Sequence, residues 1–349
     1  MTSTSSPPRG HSQVEVRPYR DEDERAVLRL LAASLGGGPG GRRTPDFFRW
    51  KHLANPFGRS CMLVADAGGE VVGLRTFMRW EFRRDDRIIR AVRAVDTATH
   101  PGHQRRGIFS ELTRAALELL SAEADLIFNT PNERSLPGYL KLGWRVVGTV
   151  PVAIRLRRPI AFARGLPTLR HANIASRRPH PVVHAEPAAE ALADAREVAE
   201  FLATTRSFSD RWSTRGGVAY LRWRYADAPL LDYRALRIRR EGRLRGLALF
   251  RVRPRGGLWE TTISELVVPR EEPMEAGLLL RGVARAATVD HIACSFPAGS
   301  FARRAARRGG FVRAPFGPTL VVNPLNDELD PDPTGLGAWG LSLGDLEVF

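Results

Sequence analysis

Val95 to Leu120, VDTATHPGHQRRGIFSELTRAALELL, holds the residue types that could bind a phosphorylated ligand. A short strand runs into a basic turn of Gln104, Arg105, Arg106 and Gly107, and a helix follows at once through Ile108, Phe109 and Ser110. Leu112, Ala115, Ala116, Leu119 and Leu120 recur at the i, i+3, i+4, i+7, i+8 spacing of one buried helical face. The turn therefore sits at a helix N-terminus, where free N–H groups and the positive end of the dipole attract anions. Gly107 has no Cβ and lets the backbone approach a ligand closely. A diphosphate suits this chemistry, and a solvated basic cap is the plain alternative.

The elements that must position this turn read as follows. Val14 to Val16 is a first strand, and Asp21 to Ser34 a helix closed by the glycine run from Gly36 to Gly41. Two hairpin strands flank Gly68, and a strand from Ile88 to Thr99 leads into the basic turn. Leu126 to Asn129 is a strand, Ser135 to Leu142 a short helix, and Trp144 to Leu156 the last strands of this half. Arg157 to Pro181, rich in arginine and proline, reads as a linker.

Phe47 to Phe77 aligns without gaps on Tyr220 to Phe250. Arg49-Trp50-Lys51 faces Arg222-Trp223-Arg224, Pro56 faces Pro229, and Gly73-Leu74 faces Gly246-Leu247. A repeat of this length means two domain copies rather than a solenoid. Trp50 and Trp223 are expected in the core. The second copy lacks the basic turn: Pro269-Arg-Glu-Glu-Pro-Met follows its strand, and Glu271 and Glu272 would repel a diphosphate.

Gln104-Arg-Arg-Gly107-Ile-Phe109 resembles the Q/R-x-x-G-x-G/A signature of the GCN5-related N-acetyltransferases (GNAT superfamily), and Thr99-His-Pro101 resembles the V-x-P that ends that family's central strand. Phe109 stands where glycine or alanine is usual. The segment Asn132-x-x-Ser135-x-x-x-Tyr139-x-Lys141-x-Gly143-Trp144 is similar to the family's N-x-x-A-x-x-x-Y-x-k-x-G-F run. The resemblance implies an α/β fold of two tandem GNAT-like domains, each a mixed, mostly antiparallel twisted sheet flanked by helices. Residues 1–12 would be a disordered tail, 13–157 the catalytic domain, 158–181 a linker, 182–325 a degenerate copy and 326–349 a C-terminal tail.

The same resemblance implies acetyl-coenzyme A as co-substrate. Main-chain groups of Thr97, Ala98 and Thr99 would pair with pantetheine, residues Gln104, Arg105, Arg106, Gly107, Ile108, Phe109 and Ser110 would hold the pyrophosphate, and Asn132 would hold the pantetheine arm. Tyr139 would protonate the departing sulfur, as a phenol of pKa ~10 can towards a thiolate whose thiol sits near ~8.5. Asp96 is the first candidate for general base and Glu133 the second, and a water chain in place of any base is a third reading. The carboxylate of Phe349 is a further candidate, by likeness to aminoglycoside-acetylating relatives. His100 and His103 read as exposed or capping. In the second copy Ala306 stands where Tyr139 would lie.

The expected acceptor is a primary amine on a small molecule, such as an amino sugar or aminoglycoside-like compound. Gly36 to Gly41 with Arg42 and Arg43 would form its loop, or a plain surface linker. A tRNA-dependent aminoacyl transferase and a non-catalytic acyl-coenzyme A sensor are the rival readings. The formal net charge of +15 comes from arginine, since Lys51 and Lys141 are the only lysines. Genome composition accounts for that bias, and no basic block with interleaved aromatics supports nucleic-acid binding. No long apolar run suggests a membrane span. Cys61 and Cys294 have no metal or redox spacing and read as buried free thiols in a cytoplasmic protein that is a monomer or homodimer, with no metal.

Overall fold

Paired turns set the two halves of the molecule. Gly68 and Gly69 have φ of 66° and 92°, and Glu241 and Gly242 have φ of 51° and 75°. Two consecutive left-handed residues make the tight hairpin turn whose twist matches the flanking strands. The computed structural model describes residues 14–37, 43–170, 180–205, 210–269 and 273–347.

The strands in chain order are β1 (Glu15–Pro18), β2 (Cys61–Asp66), β3 (Val71–Arg84), β4 (Arg87–Thr99), β5 (Leu126–Asn129), β6 (Arg145–Thr149) and β7 (Ala153–Leu156). There follow β8 (Glu186–Pro187), β9 (Ser213–Thr214), β10 (Tyr233–Arg240), β11 (Arg243–Arg255), β12 (Leu258–Val267), β13 (His291–Cys294), β14 (Val312–Arg313) and β15 (Thr319–Pro324). They form two mixed sheets. One has the order β1-β2-β3-β4-β5-β15-β6, with β9 on β3, and the other β14-β7-β13-β12-β11-β10-β8. Each sheet has a parallel step, β4 to β5 and β12 to β13, among antiparallel neighbours.

The last strand of each half is exchanged. β7 leaves the first half and lies between β13 and β14, while β15 returns to fill the place between β5 and β6. The sheets are therefore cut differently from the segments 13–157 and 182–325 read from the sequence. Within the expected linker a helix spans Pro159–Gly165 and a 3₁₀ turn Leu166–Arg170.

Helices α1 (Glu24–Leu35) and α2 (Pro45–His52) cover one face of the first sheet and α3 (Ile108–Leu120) the other. α2 starts where Thr44 accepts the Phe47 amide at 3.2 Å and proline holds the first helical position. α3 buries Ile108, Leu112, Ala116 and Leu120 against the sheet, whereas Leu119, expected on the buried face, is 49% exposed. Each fully buried Ile or Leu contributes about 1.5–3 kcal/mol. The matched glycines have one cause: a Cβ on Gly73 would lie 2.7 Å from Ile108, and one on Gly246 3.1 Å from Leu279. Both mark close helix-to-strand approach.

Trp50 and Trp223 stack at 5.2 Å in the core between the halves, and each indole N–H donates to the other's carbonyl, at 2.6 and 2.8 Å. The reciprocal pair is the repeat expressed as an internal two-fold contact. The C-terminal tail ends in a short helix α5 (Leu343–Leu346), numbered after α4 (Leu136–Lys141). α5 is clamped from both halves: Arg93 donates to the Asp345 and Leu346 carbonyls, and Arg224 to the Gly344 carbonyl at 3.0 Å. Any Cβ on Gly344 would strike the Tyr225 hydroxyl and come within 2.8 Å of Glu265. Gly344→Ala is expected to lower stability by about 1–3 kcal/mol, the cost of overpacking, measurable as a fall in denaturation midpoint at unchanged slope.

Candidate active site

β4 and β5 part company midway. Their pairing is confined to Ala91, Val92 and Arg93 opposite Leu126, Ile127 and Phe128. From there to Thr99 the edge of β4 facing β5 has no strand beside it among the described residues, while its other edge stays on β3. Thr97, Ala98 and Thr99 thus offer an open strand edge of the kind an extended ligand can extend. A bulge bends this stretch: Leu74 pairs Ala98 and Thr76 pairs Val95, leaving Arg75 opposite Asp96 and Thr97.

The open edge leads into the basic turn. His100 accepts the Gly102 amide at 3.2 Å, so it caps a 3₁₀ turn, and Gln104 donates to the Thr99 carbonyl at 3.4 Å. Arg105 and Gly107 are both left-handed, with φ of 63° and 81°. Gly107 caps α3, and the Ile108 and Phe109 amides belong to its first turn, which lacks intrahelical acceptors. Nothing lies within 4 Å of where a Gly107 Cβ would be, so the space above the turn is open. Arg105 and Arg106 are exposed beside it, and Ser110 is half-buried in the helix. Phe109 turns inward, edge-on to Tyr139 at 6.0 Å. The bulk at the unusual signature position therefore packs beneath the turn rather than into it.

Tyr139 is buried within α4, also against Trp144 at 5.2 Å, and its oxygen accepts from Arg75 Nη1 at 3.1 Å. Asn132 is exposed and its side-chain oxygen accepts the Arg134 and Ser135 amides at 3.1 and 2.9 Å. Its oxygen holds the turn before α4, which leaves its amide nitrogen as the group able to meet a ligand carbonyl. Glu133 is exposed on the same turn.

Asp96, the first candidate for general base, is buried among cationic and hydrogen-bonding side chains. It occupies the bulge at φ 42°, with its carboxylate 2.6 Å from Lys51 Nζ, 3.0 Å from His52 Nε2 and 3.5 Å from Arg43 Nη1. Burial alone would raise its pKa, but Lys51 and His52 overcome it and hold the carboxyl far below the ordinary range. Burial likewise pushes Lys51 and His52 down, against the pull of Asp96. Lys51 and Arg43 face the Asp96 carboxylate, and Asp96 has little tendency to take a proton. His52 Nδ1 continues the chain to Ser60 Oγ at 3.0 Å.

The sequence reading missed Lys51, His52 and Arg75. Lysine is so scarce here that Lys51 was itself a signal, whereas Arg75 looked like one arginine among many. Phe349, Glu271, Glu272 and residues 38–42 of the expected acceptor loop lie outside the described residues. In the second half the region matching Lys51 is filled: Arg224 holds α5, and Glu347 meets Arg251 at 3.4 Å and Tyr233 at 2.9 Å. Ala306 is buried where a tyrosine would be needed. Cys61 is half-buried and Cys294 buried, both free. Among the described residues there is no cluster able to hold a metal ion, and no helix long and apolar enough to cross a membrane.

A family model described as an acetyltransferase (GNAT) domain matches residues 15–147. No curated protein matches the chain significantly. Among solved structures, a probable N-acyltransferase from Enterococcus faecalis V583 is similar with a TM-score of 0.61 at 11% identity, over 90% of this chain and 73% of that one. A GCN5-related N-acetyltransferase from Anabaena variabilis is similar with a TM-score of 0.61 at 11% identity, over 90% and 73%. Eis1 from Mycobacterium abscessus gives 0.54 at 14% identity, over 90% and 74%. At these identities the likeness shows a shared fold.

Proposed function

We propose, from the match of residues 15–147 to an acetyltransferase (GNAT) domain model, that this chain is an acyltransferase that moves an acetyl group from acetyl-coenzyme A to a primary amine of a small molecule. One observation carries the reading: the free edge of β4 runs directly into the left-handed Gly107 cap of α3. That path fits a pantetheine arm along Thr97 to Thr99 and a diphosphate over the amides of Ile108 and Phe109. Arg105 and Arg106 add charge on the solvent side.

The thioester supplies an activated acyl carbon. The chain's residues orient it along β4, and Tyr139 holds a proton for the departing sulfur. The amine nitrogen forms the new C–N bond, the C–S bond breaks with its electron pair on sulfur, and the Tyr139 proton passes to that sulfur. The amine proton leaves to solvent, and Tyr139 regains its own from solvent. Asp96 is not asked to remove the amine proton, because its carboxylate is already engaged by Lys51, His52 and Arg43. The acceptor then reacts as the free amine, in a protein we place in the cytoplasm.

Calorimetric titration of acetyl-coenzyme A, followed by an amine panel read out as thiol release, tests the reading. Absence of binding to the intact protein overturns it. Tyr139→Phe is expected to lower kcat by roughly a hundredfold or more with KM for acetyl-coenzyme A little changed, the effect of losing a positioned general acid. An unchanged kcat in stopped thiol-release assays would remove Tyr139 from the mechanism.

A further inference from the structure

Arg75 is fully buried on the α3 face of the first sheet, at the bulge. Its Nη1 donates to the Tyr139 hydroxyl at 3.1 Å and to the Thr97 hydroxyl. Its guanidinium lies 4.4 Å over the Phe77 ring, 5.3 Å from that of Phe109 and 5.2 Å from that of Tyr139. Its Nε and Nη2 have no hydrogen-bond partner among the described residues. A cation in an aromatic box with two idle nitrogens is poor structural material, because buried donors without acceptors are costly. An apolar side chain of that length would fill the same space without the penalty.

Resting on the acyl-transfer reading above, we propose that Arg75 is a positioning residue that sets Tyr139 to act as the acid. Arginine can only donate, so the bond fixes the Tyr139 oxygen as acceptor and turns the phenolic hydrogen away from the guanidinium. The phenol therefore presents its proton to a ligand instead of to a neighbour. When the C–S bond breaks and that proton moves to sulfur, the negative charge left on the phenol oxygen forms beside a fixed positive charge. Such a preorganised contact strengthens as charge develops. The same nitrogen reaches Thr97 on the open edge of β4, so the acid and the strand that orients the donor are held by one group.

A double-mutant cycle tests this. Arg75→Met is expected to keep acetyl-coenzyme A affinity within about threefold and to lower kcat roughly tenfold to hundredfold, with KM little changed. In a Tyr139→Phe background the same substitution should change kcat by less than about twofold, because residues acting as a unit are not additive. Arg75→Lys keeps the charge without the planar fork and should recover part of the loss. It also serves if Arg75→Met does not fold: a fall in kcat that vanishes over Tyr139→Phe supports the assignment. Independent losses that multiply in the double variant, or an unaltered kcat in both single variants, overturn it. Failure of the intact protein to bind or turn over acetyl-coenzyme A is a different result, and it removes the acyl-transfer reading together with the assignment built on it.

Discussion

Gly107→Glu is expected to weaken acetyl-coenzyme A binding by about a hundredfold or more in a calorimetric titration, a loss of about 2.7 kcal/mol. Two causes act together. The backbone at Gly107 is left-handed with φ 81°, a conformation that strains a residue with a Cβ. The new side chain also enters the open space over the turn, where it places a carboxylate against the proposed diphosphate. Gly107→Asn separates the two. Asparagine tolerates the left-handed region better than most residues and carries no charge, so it should keep most of the affinity. Equal, small effects of both substitutions would mean that the turn is a solvated cap and binds nothing.

Asp96→Ala should cost about 3–5 kcal/mol of folding free energy, since it leaves Lys51 buried without its counter-charge. The measurement is chemical denaturation at neutral pH. Asp96→Asn keeps the shape, tolerates φ 42° and can still meet His52, so its loss should be smaller. The sign in pH follows from the direction of the shift. The Asp96 carboxyl is held below its unfolded value of ~3.9, so its contribution is full above that value and drains away only as the pH falls into strong acid. A catalytic base would behave otherwise: Asp96→Asn would fold as well as the parent and lose turnover together with the acid limb of its pH profile.

How much of this was legible in the sequence can be traced residue by residue. α3 was, because Leu112, Ala116 and Leu120 fall on one face and a glycine stands at its start. Leu119 was misassigned because the 100° stripe of a helix has blurred edges and the sequence does not say how wide the covering sheet is. The repeat was legible because its glycines and tryptophans answer to contacts that both halves need. The basic turn was legible because its residues are contiguous. Asp96 was placed in the right strand, but its partners Lys51, His52 and Arg43 were not legible, since they come from far back in the chain. A pKa depends on those neighbours rather than on position in a motif. Arg75 and the exchange of β7 and β15 were hidden for the same reason: a strand carries its pattern locally, but its neighbour in the sheet is chosen by the whole fold.

That exchange bears on how the protein comes into being. Asn129 pairs with Val321, and Ala153 with Cys294 and Arg313. While residues up to 318 are emerging from a ribosome, the first sheet has a vacant lane between β5 and β6 that no later local event can fill. The two sheets close only once β14 and β15 have been made, and contacts so distant along the chain are slow to find. A fragment ending after the first half would carry the basic turn and Tyr139 on a sheet with an unzipped edge. A chain shortened to its first half would expose that edge to other chains, so the second half serves the first as its folding partner.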